Sequence, residues 1–188
     1  MGKTCILTVG STRFDPLVHS FLSPDSLDAL PALGVSTVVA QVGNSTLPDG
    51  YTLGSTTLSE GLQLRIVRFA DDLEEQVGRA DMVVSHAGAG SILSFLRPLS
   101  NSTRSTVSNR TLVLVPNSTL MDSHQSDLAE EMDKKGWATI CWKTEDLPAA
   151  LLKLASHAET PRSAADNAFP KVDEGKVQRI LDEVLDYA

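Results

Sequence analysis

The sequence predicts an α/β fold, a doubly wound parallel sheet of Rossmann-like type built as a single domain. Three observations predict it. Short apolar, β-rich runs recur along the chain, and helical patterns separate them. The runs are apolar at successive rather than alternate positions, as strands covered on both faces require. A length of 188 residues, 41% hydrophobic and 21% charged, suits one globular domain with a sizeable core. Right-handed crossovers are expected between the parallel strands.

In chain order, strands are expected at residues 5–9, 37–42, 64–69, 82–85, 112–115 and 138–141. Helices are expected at 25–33, 72–79, 90–96, 123–135, 145–156 and 176–186. Two stretches break the alternation. Residues 98–110 (PLSNSTRSTVSNR) are polar and read as a surface insertion between a helix and the next strand. Residues 158–172 contain two prolines and little periodicity, so they read as a tether. The nucleotide-binding domain is thus expected over 1–157. The terminal segment 173–188 carries an apolar stripe (Val177, Ile180, Leu181, Val184, Leu185) that packs on the sheet or docks a partner.

Composition excludes several function classes. A net charge of −8 argues against nucleic acid and against direct docking to anionic lipid. Any phosphate must be held locally, by backbone N–H groups and helix ends. No run approaches the roughly 18 apolar residues of a membrane-spanning helix. The N-terminus shows no secretory pattern, so the expected compartment is cytoplasmic, without direct membrane insertion. Cys5 and Cys141 fall in apolar runs and read as buried thiols. The Asn-x-Thr triplets at Asn44, Asn101, Asn109 and Asn117 then read only as polar loop sequence.

Ligands of open α/β sheets bind at the carboxyl ends of strands, and three loops occupy such positions. Gly10 and Ser11, in GSTRFD, let backbone approach an anion; an ordinary turn with Asp15 as helix cap and Pro16 following explains the spacing equally well. The run Ser85-His86-Ala87-Gly88-Ala89-Gly90-Ser91 exposes N–H groups at a helix start, where the dipole favours a diphosphate. It has neither the G-x-G-x-x-G spacing nor the lysine of a P-loop. The third loop, Asn117 through Gln125, contains Asp122 and Gln125 in a D-x-x-Q helix-start pattern. That pattern leaves His124, beside Gln125, unexplained, and the two together suit sugar hydroxyls.

Taken together, TVGSTRFDPLV, ADMVVSHAGAGSIL and NSTLMDSHQSDLA resemble the soluble catalytic subunits of the eukaryotic two-subunit UDP-GlcNAc transferases of asparagine-linked glycosylation. Those subunits are similar in turn to the C-terminal, donor-binding half of GT-B glycosyltransferases (glycosyltransferase family 28). The resemblance implies inverting transfer of GlcNAc from UDP-GlcNAc to dolichyl-diphosphate-GlcNAc at the cytosolic face of the endoplasmic reticulum. It implies a heterodimer with a membrane-anchored, acceptor-binding subunit, and no bound metal or other cofactor. By the same resemblance the donor lies along the loop His86, Gly88, Ala89, Gly90 and Ser91. Asn117, His124 and Gln125 bind substrate, and Gly10 and Ser11 face the reaction centre. The family commonly carries an acidic residue where this chain has Ser94. No side chain stands out as a general base: His19 sits in a helical pattern and His157 adjoins the tether, so the base is expected on the partner. The competing reading is a non-catalytic, nucleotide-sugar-binding regulatory or scaffold subunit. A stand-alone transferase is disfavoured, because one domain supplies one wall of a cleft.

Overall fold

A computed structural model describes residues 2–96, 110–117 and 124–156, with backbone alone at Glu60 and His124. The insertion up to its last residue, Asp122, the tether and the segment 173–188 lie outside the described residues.

The chain opens with β1 (Lys3–Thr8) and α1 (Asp15–Phe21), the latter a seven-residue helix too short to show a periodic signal. Asp15 is not its cap. Phe14 occupies the cap position, and Asp15 sits one residue inside. Its carboxylate accepts instead from the Thr46 N–H at 2.9 Å and from Arg13 at 2.7 Å, partners that the local spacing does not reveal.

Next come α2 (Pro24–Ala29), started by Pro24 and the Ser23 hydroxyl, and a 3-10 turn at Pro31–Leu33. The single helix expected over 25–33 is therefore divided. Pro31 has no N–H and its ring crowds the preceding turn, which ends the α-helix. Gly34, at φ +80°, then redirects the chain into β2 (Val35–Gln41). Strand β3 (Gly54–Thr57) was not expected: GSTT has no apolar residue, and all four positions are exposed. It precedes β4 (Gln63–Val67) and α3 (Leu73–Arg79).

The second half runs β5 (Met82–Ser85), α4 (Ala89–Leu96), β6 (Thr111–Leu114), α5 (His124–Lys134), β7 (Thr139–Ile140) and α6 (Leu147–Ser156). Helix α5 ends where Gly136, at φ +67°, donates to Asp133 O and Trp137 N–H donates to Met132 O. These two bonds satisfy carbonyls that the last turn would leave open.

The seven strands lie in the order β3-β4-β2-β1-β5-β6-β7. All neighbours are parallel except β3 and β4. The expected parallel sheet is thus correct apart from one antiparallel edge strand. Without β3, the order is that of a dinucleotide-binding sheet, with its reversal between β1 and β5. Alternate strand residues divide the interior into two cores. Cys5, Leu7, Val38, Val84 and Val113 pack under α1, α2 and α6, with Phe21, Leu27 and Leu147. Ile6, Val83, Leu112 and Leu114 pack under α3, α4 and α5, with Val77, Phe95 and Met132. Both cysteines are free and buried, Cys5 completely.

One cation secures the second layer. Arg110, the last residue of the polar insertion, donates Nε to Ala80 O, Nη1 to Phe95 O and Nη2 to Val77 O, at 2.7, 2.8 and 2.9 Å. Its guanidinium lies 4.0 Å over the Phe95 ring. The rigid fork thereby closes the C-terminal ends of α3 and α4 together. Arg110→Met is expected to lower unfolding stability by about 2–3 kcal/mol, since half-withdrawn carbonyls lose charged donors. Arg110→Lys should recover only part of it, as measured by urea denaturation.

Candidate functional site

The carboxyl ends of β1 and β5 adjoin at the reversal of strand order, so the loops after them meet there. His86 fills the space between them. A Cβ built on Gly10 would lie 3.2 Å from its Cε1, and one on Gly88 only 2.6 Å from its Nε2. Gly10 is also at φ +60°, so both the backbone angle and the ring require glycine. The imidazole is 7% exposed, and Nδ1 lies 3.4 Å from Thr8 O. A carbonyl only accepts, so Nδ1 carries the hydrogen and Nε2 keeps its lone pair. Burial lowers the His86 pKa, and the weaker Thr8 contact opposes that shift.

Beyond His86 the chain turns through Ala87, at φ +64°, into α4. The helix's first bond runs from Ile92 N–H to Gly88 O at 3.1 Å. The N–H groups of Ala89, Gly90 and Ser91 thus precede any intrahelical acceptor. Ala89 and Gly90 are exposed, and the space beside Gly90 is open. Ser94, at the position where the resembling family is commonly acidic, donates its hydroxyl to Gly90 O at 2.9 Å.

The Gly10 loop is held from below by residues that sequence reasoning passed over. Gln41 is 1% exposed and donates Nε2 to Gly10 O at 2.7 Å and to Arg68 O at 2.6 Å. Its Oε1 accepts from Thr8 Oγ1 at 2.6 Å. Asn44 donates Nδ2 to Ser11 O and its N–H to Thr12 O, while Ser45 Oγ accepts from Phe14 N–H. A Cβ on Gly43 would meet Thr12 O at 2.6 Å, so the two loops touch backbone to backbone. The available signal was a glutamine closing an otherwise apolar strand, VVAQV, followed by glycine.

At the next strand end, Asn117 is buried and its N–H donates to Gln125 Oε1 at 3.2 Å, tying β6 to the start of α5. A backbone N–H demands an acceptor, which fixes the amide and leaves Nε2 as donor. Gln125 is half-buried, with its Oε1 holding the Asn117 N–H. His124 begins α5, and its side chain lies outside the described residues. Among the described residues, the fully buried Ser85 Oγ has no hydrogen-bond partner.

Gly10, His86 and Gly88 are thus in direct contact, while Asn117 and Gln125 form a second cluster on the same sheet edge. Among the described residues, no three His, Cys, Asp or Glu side chains gather as metal ligands. A groove of about 460 Å³ lies elsewhere, lined by Gly50–Thr56, Leu58 and Ile66 along β3 and β4, with β2 between β4 and β1.

Residues 4–182 match the family model described as glycosyltransferase family 28 C-terminal domain. A Cryptococcus neoformans protein, UDP-N-acetylglucosamine transferase subunit ALG13, is 31% identical over 210 residues, covering 98% of this chain and 97% of that protein. The Homo sapiens protein of the same name is 36% identical over 140 residues, covering 74% of this chain and 11% of the human protein. The chain therefore spans about a tenth of that relative. Among solved structures, the NMR solution structure of ALG13 superimposes with a TM-score of 0.61 at 26% identity, covering 96% of this chain and 95% of that one.

The lowered pKa of His86 gives the fold a pH dependence of definite sign. The unfolded histidine titrates near pH 6.5. Below that pH the unfolded chain binds the proton more readily than the folded one, so the contribution is present above about 6.5 and is lost as pH falls toward the folded pKa. The melting temperature of the wild type is expected to drop between pH 7.5 and 5.5, and His86→Asn should flatten that slope. Asp15, held near pKa 2 first by its hydrogen bond from Arg13, acts only in a lower window, with stability present above about pH 4 and lost as pH falls toward 2.

Proposed function

The chain belongs to the glycosyltransferase family 28 C-terminal domain family and has the fold of the C-terminal half of a GT-B glycosyltransferase; on that premise we propose that it binds UDP-GlcNAc as the donor-side subunit of a GlcNAc transferase. The observation that carries the reading is the meeting of an open helix start (Ala89, Gly90, Ser91) with the Gly10–Ser11 loop at the reversal of strand order. The name shared by its relatives, UDP-N-acetylglucosamine transferase subunit, supports the donor and the existence of a partner.

In this reading the UDP diphosphate lies against the three N–H groups of α4. Their donors and the helix dipole stabilise the charge that develops on the departing phosphate oxygen. The acceptor is dolichyl-diphosphate-GlcNAc. Its sugar hydroxyl attacks the anomeric carbon from the face opposite UDP. The new C–O bond forms as the bond to the β-phosphate oxygen breaks, which inverts the centre. The hydroxyl proton passes to a base on the partner subunit. Gln125 offers its Nε2 donor to the donor sugar, alongside His124, while its Oε1 holds Asn117. Among the described residues no helix is long and apolar enough to cross a membrane. A membrane-anchored partner at the cytosolic face of the endoplasmic reticulum supplies both the acceptor site and the anchorage.

A non-catalytic binding subunit is favoured by one observation: the Ser94 hydroxyl is bonded to Gly90 O, where the resembling family commonly has a carboxylate for ribose. Transfer by the chain with its partner decides between the two readings.

Calorimetric titration without divalent metal should show UDP and UDP-GlcNAc binding more tightly than NAD or ATP; tighter NAD binding would sink the donor assignment. In the two-subunit complex, His124→Ala/Gln125→Ala should lower GlcNAc transfer tenfold or more, about 1.4 kcal/mol of transition-state stabilisation. Gln125→Ala should also cost about 1 kcal/mol of stability, because the Asn117 N–H loses its acceptor. A double variant with wild-type transfer removes the pair from the site.

A further inference from the structure

We propose that Gln41 is a positioning residue for the anion site, one that keeps carbonyl oxygens out of the cleft by fixing the peptide that joins Gly10 to Ser11. The inference deepens the donor-site reading above and rests on it.

The argument begins with the completeness of the hydrogen bonding. Gly10 N–H donates to Thr8 Oγ1 at 3.1 Å, and Thr8 Oγ1 donates onward to Gln41 Oε1 at 2.6 Å. Gln41 Nε2 then donates back to Gly10 O at 2.7 Å. The bonds close a circuit that takes up both polar groups of Gly10. Its direction is not free. Nε2 faces two carbonyls, Gly10 O and Arg68 O, so it must be nitrogen. Oε1 must then accept, and the Thr8 hydroxyl is left to receive the Gly10 N–H.

The consequence for the cleft is electrostatic. The carbonyls of Gly10, Ser11 and Thr12 all accept from the β2 side, from Gln41 Nε2, Asn44 Nδ2 and the Asn44 N–H. With three successive carbonyl oxygens committed inward, the loop is left with the N–H and hydroxyl of exposed Ser11 as donors uncommitted among the described residues. A carbonyl turned into the mouth would repel a diphosphate; a turned-out N–H attracts it. Arg68 makes the platform continuous, since its Nη1 donates to Gly43 O and Ser45 O, both at 3.1 Å. Gln41 is therefore the point at which the ends of β1, β2 and β4 are joined, and it acts on the ligand only through Gly10.

The test uses the complete two-subunit transferase and compares inhibition by UDP with inhibition by uridine, which lacks the phosphates. Thr8→Val and Gln41→Met each open the circuit with little change of volume. Gln41→Glu places a carboxylate opposite two carbonyls. In all three, inhibition by UDP should weaken tenfold or more and kcat should fall, while inhibition by uridine changes less than twofold. Thr8→Ser, which retains the hydroxyl, should restore UDP inhibition. Arg110→Met is the stability control: it loosens the fold far from the loop and should leave the ratio of UDP to uridine inhibition at its wild-type value. If the folded variants lose UDP and uridine inhibition equally, or lose neither, Gln41 has no positioning role. A wild type that UDP does not inhibit overturns the donor-site reading and this inference with it. Thr8→Val carries the decision should the Gln41 variants not fold.

Discussion

Helices cover both faces of the sheet, and the central strands β1, β5 and β6 send successive residues into one core and then the other. A polar side chain in the middle of such a strand has no water on either side and must find every partner within the protein. The strand ends are where that cost can be met. There the chain turns, carbonyls and N–H groups leave the ladder, and a buried amide or hydroxyl can bond to them. Thr8, Gln41, Ser85, His86 and Asn117 are buried polar residues at or just past the carboxyl ends of β1, β2, β5 and β6. The same constraint that makes the strands apolar concentrates the chemistry on one edge.

Ease of reading from sequence follows that division. The apolar runs of β1, β5 and β6 were legible because burial on both faces leaves little else in them, and β2 and β4 because their buried positions, Gln41 apart, are apolar. Strand β3 was not: GSTT is held by backbone pairing to β4 and touches neither core. At the site, the glycines and His86 were legible as small residues between an apolar strand and an apolar helix. Their dependence on one another was not, since the fit of Gly10 and Gly88 around one ring is a long-range property. Asn44-Ser45-Thr46 looked like ordinary polar loop sequence, and Arg110 like the end of an insertion. Each is a clamp whose partners lie tens of residues away.

The groove lined by Gly50–Thr56, Leu58 and Ile66 lies away from the candidate site. In the proposed reading the strand-end loops present their donors as one wall of a cleft that the partner subunit completes. That wall is rigid. Both loops at the β1–β5 reversal are tied by backbone contacts and buried side chains, so donor groups are in place before a ligand arrives. Such preorganisation lowers the ordering cost at the moment of binding.

Cys5 lies in the central strand, between β2 and β5, with no exposed surface, and burial pushes its thiol far above its ordinary pKa. Only the thiolate reacts with an alkylating reagent, so the native chain is silent at this position. Modification becomes possible when β1 parts from its neighbours, which makes the rate of alkylation at Cys5 a clock for openings at the middle of the sheet. A ligand that binds only the closed form slows that clock by mass action. The protein thus carries a native reporter of openings at the middle of its sheet, readable without a label or an enzymatic assay.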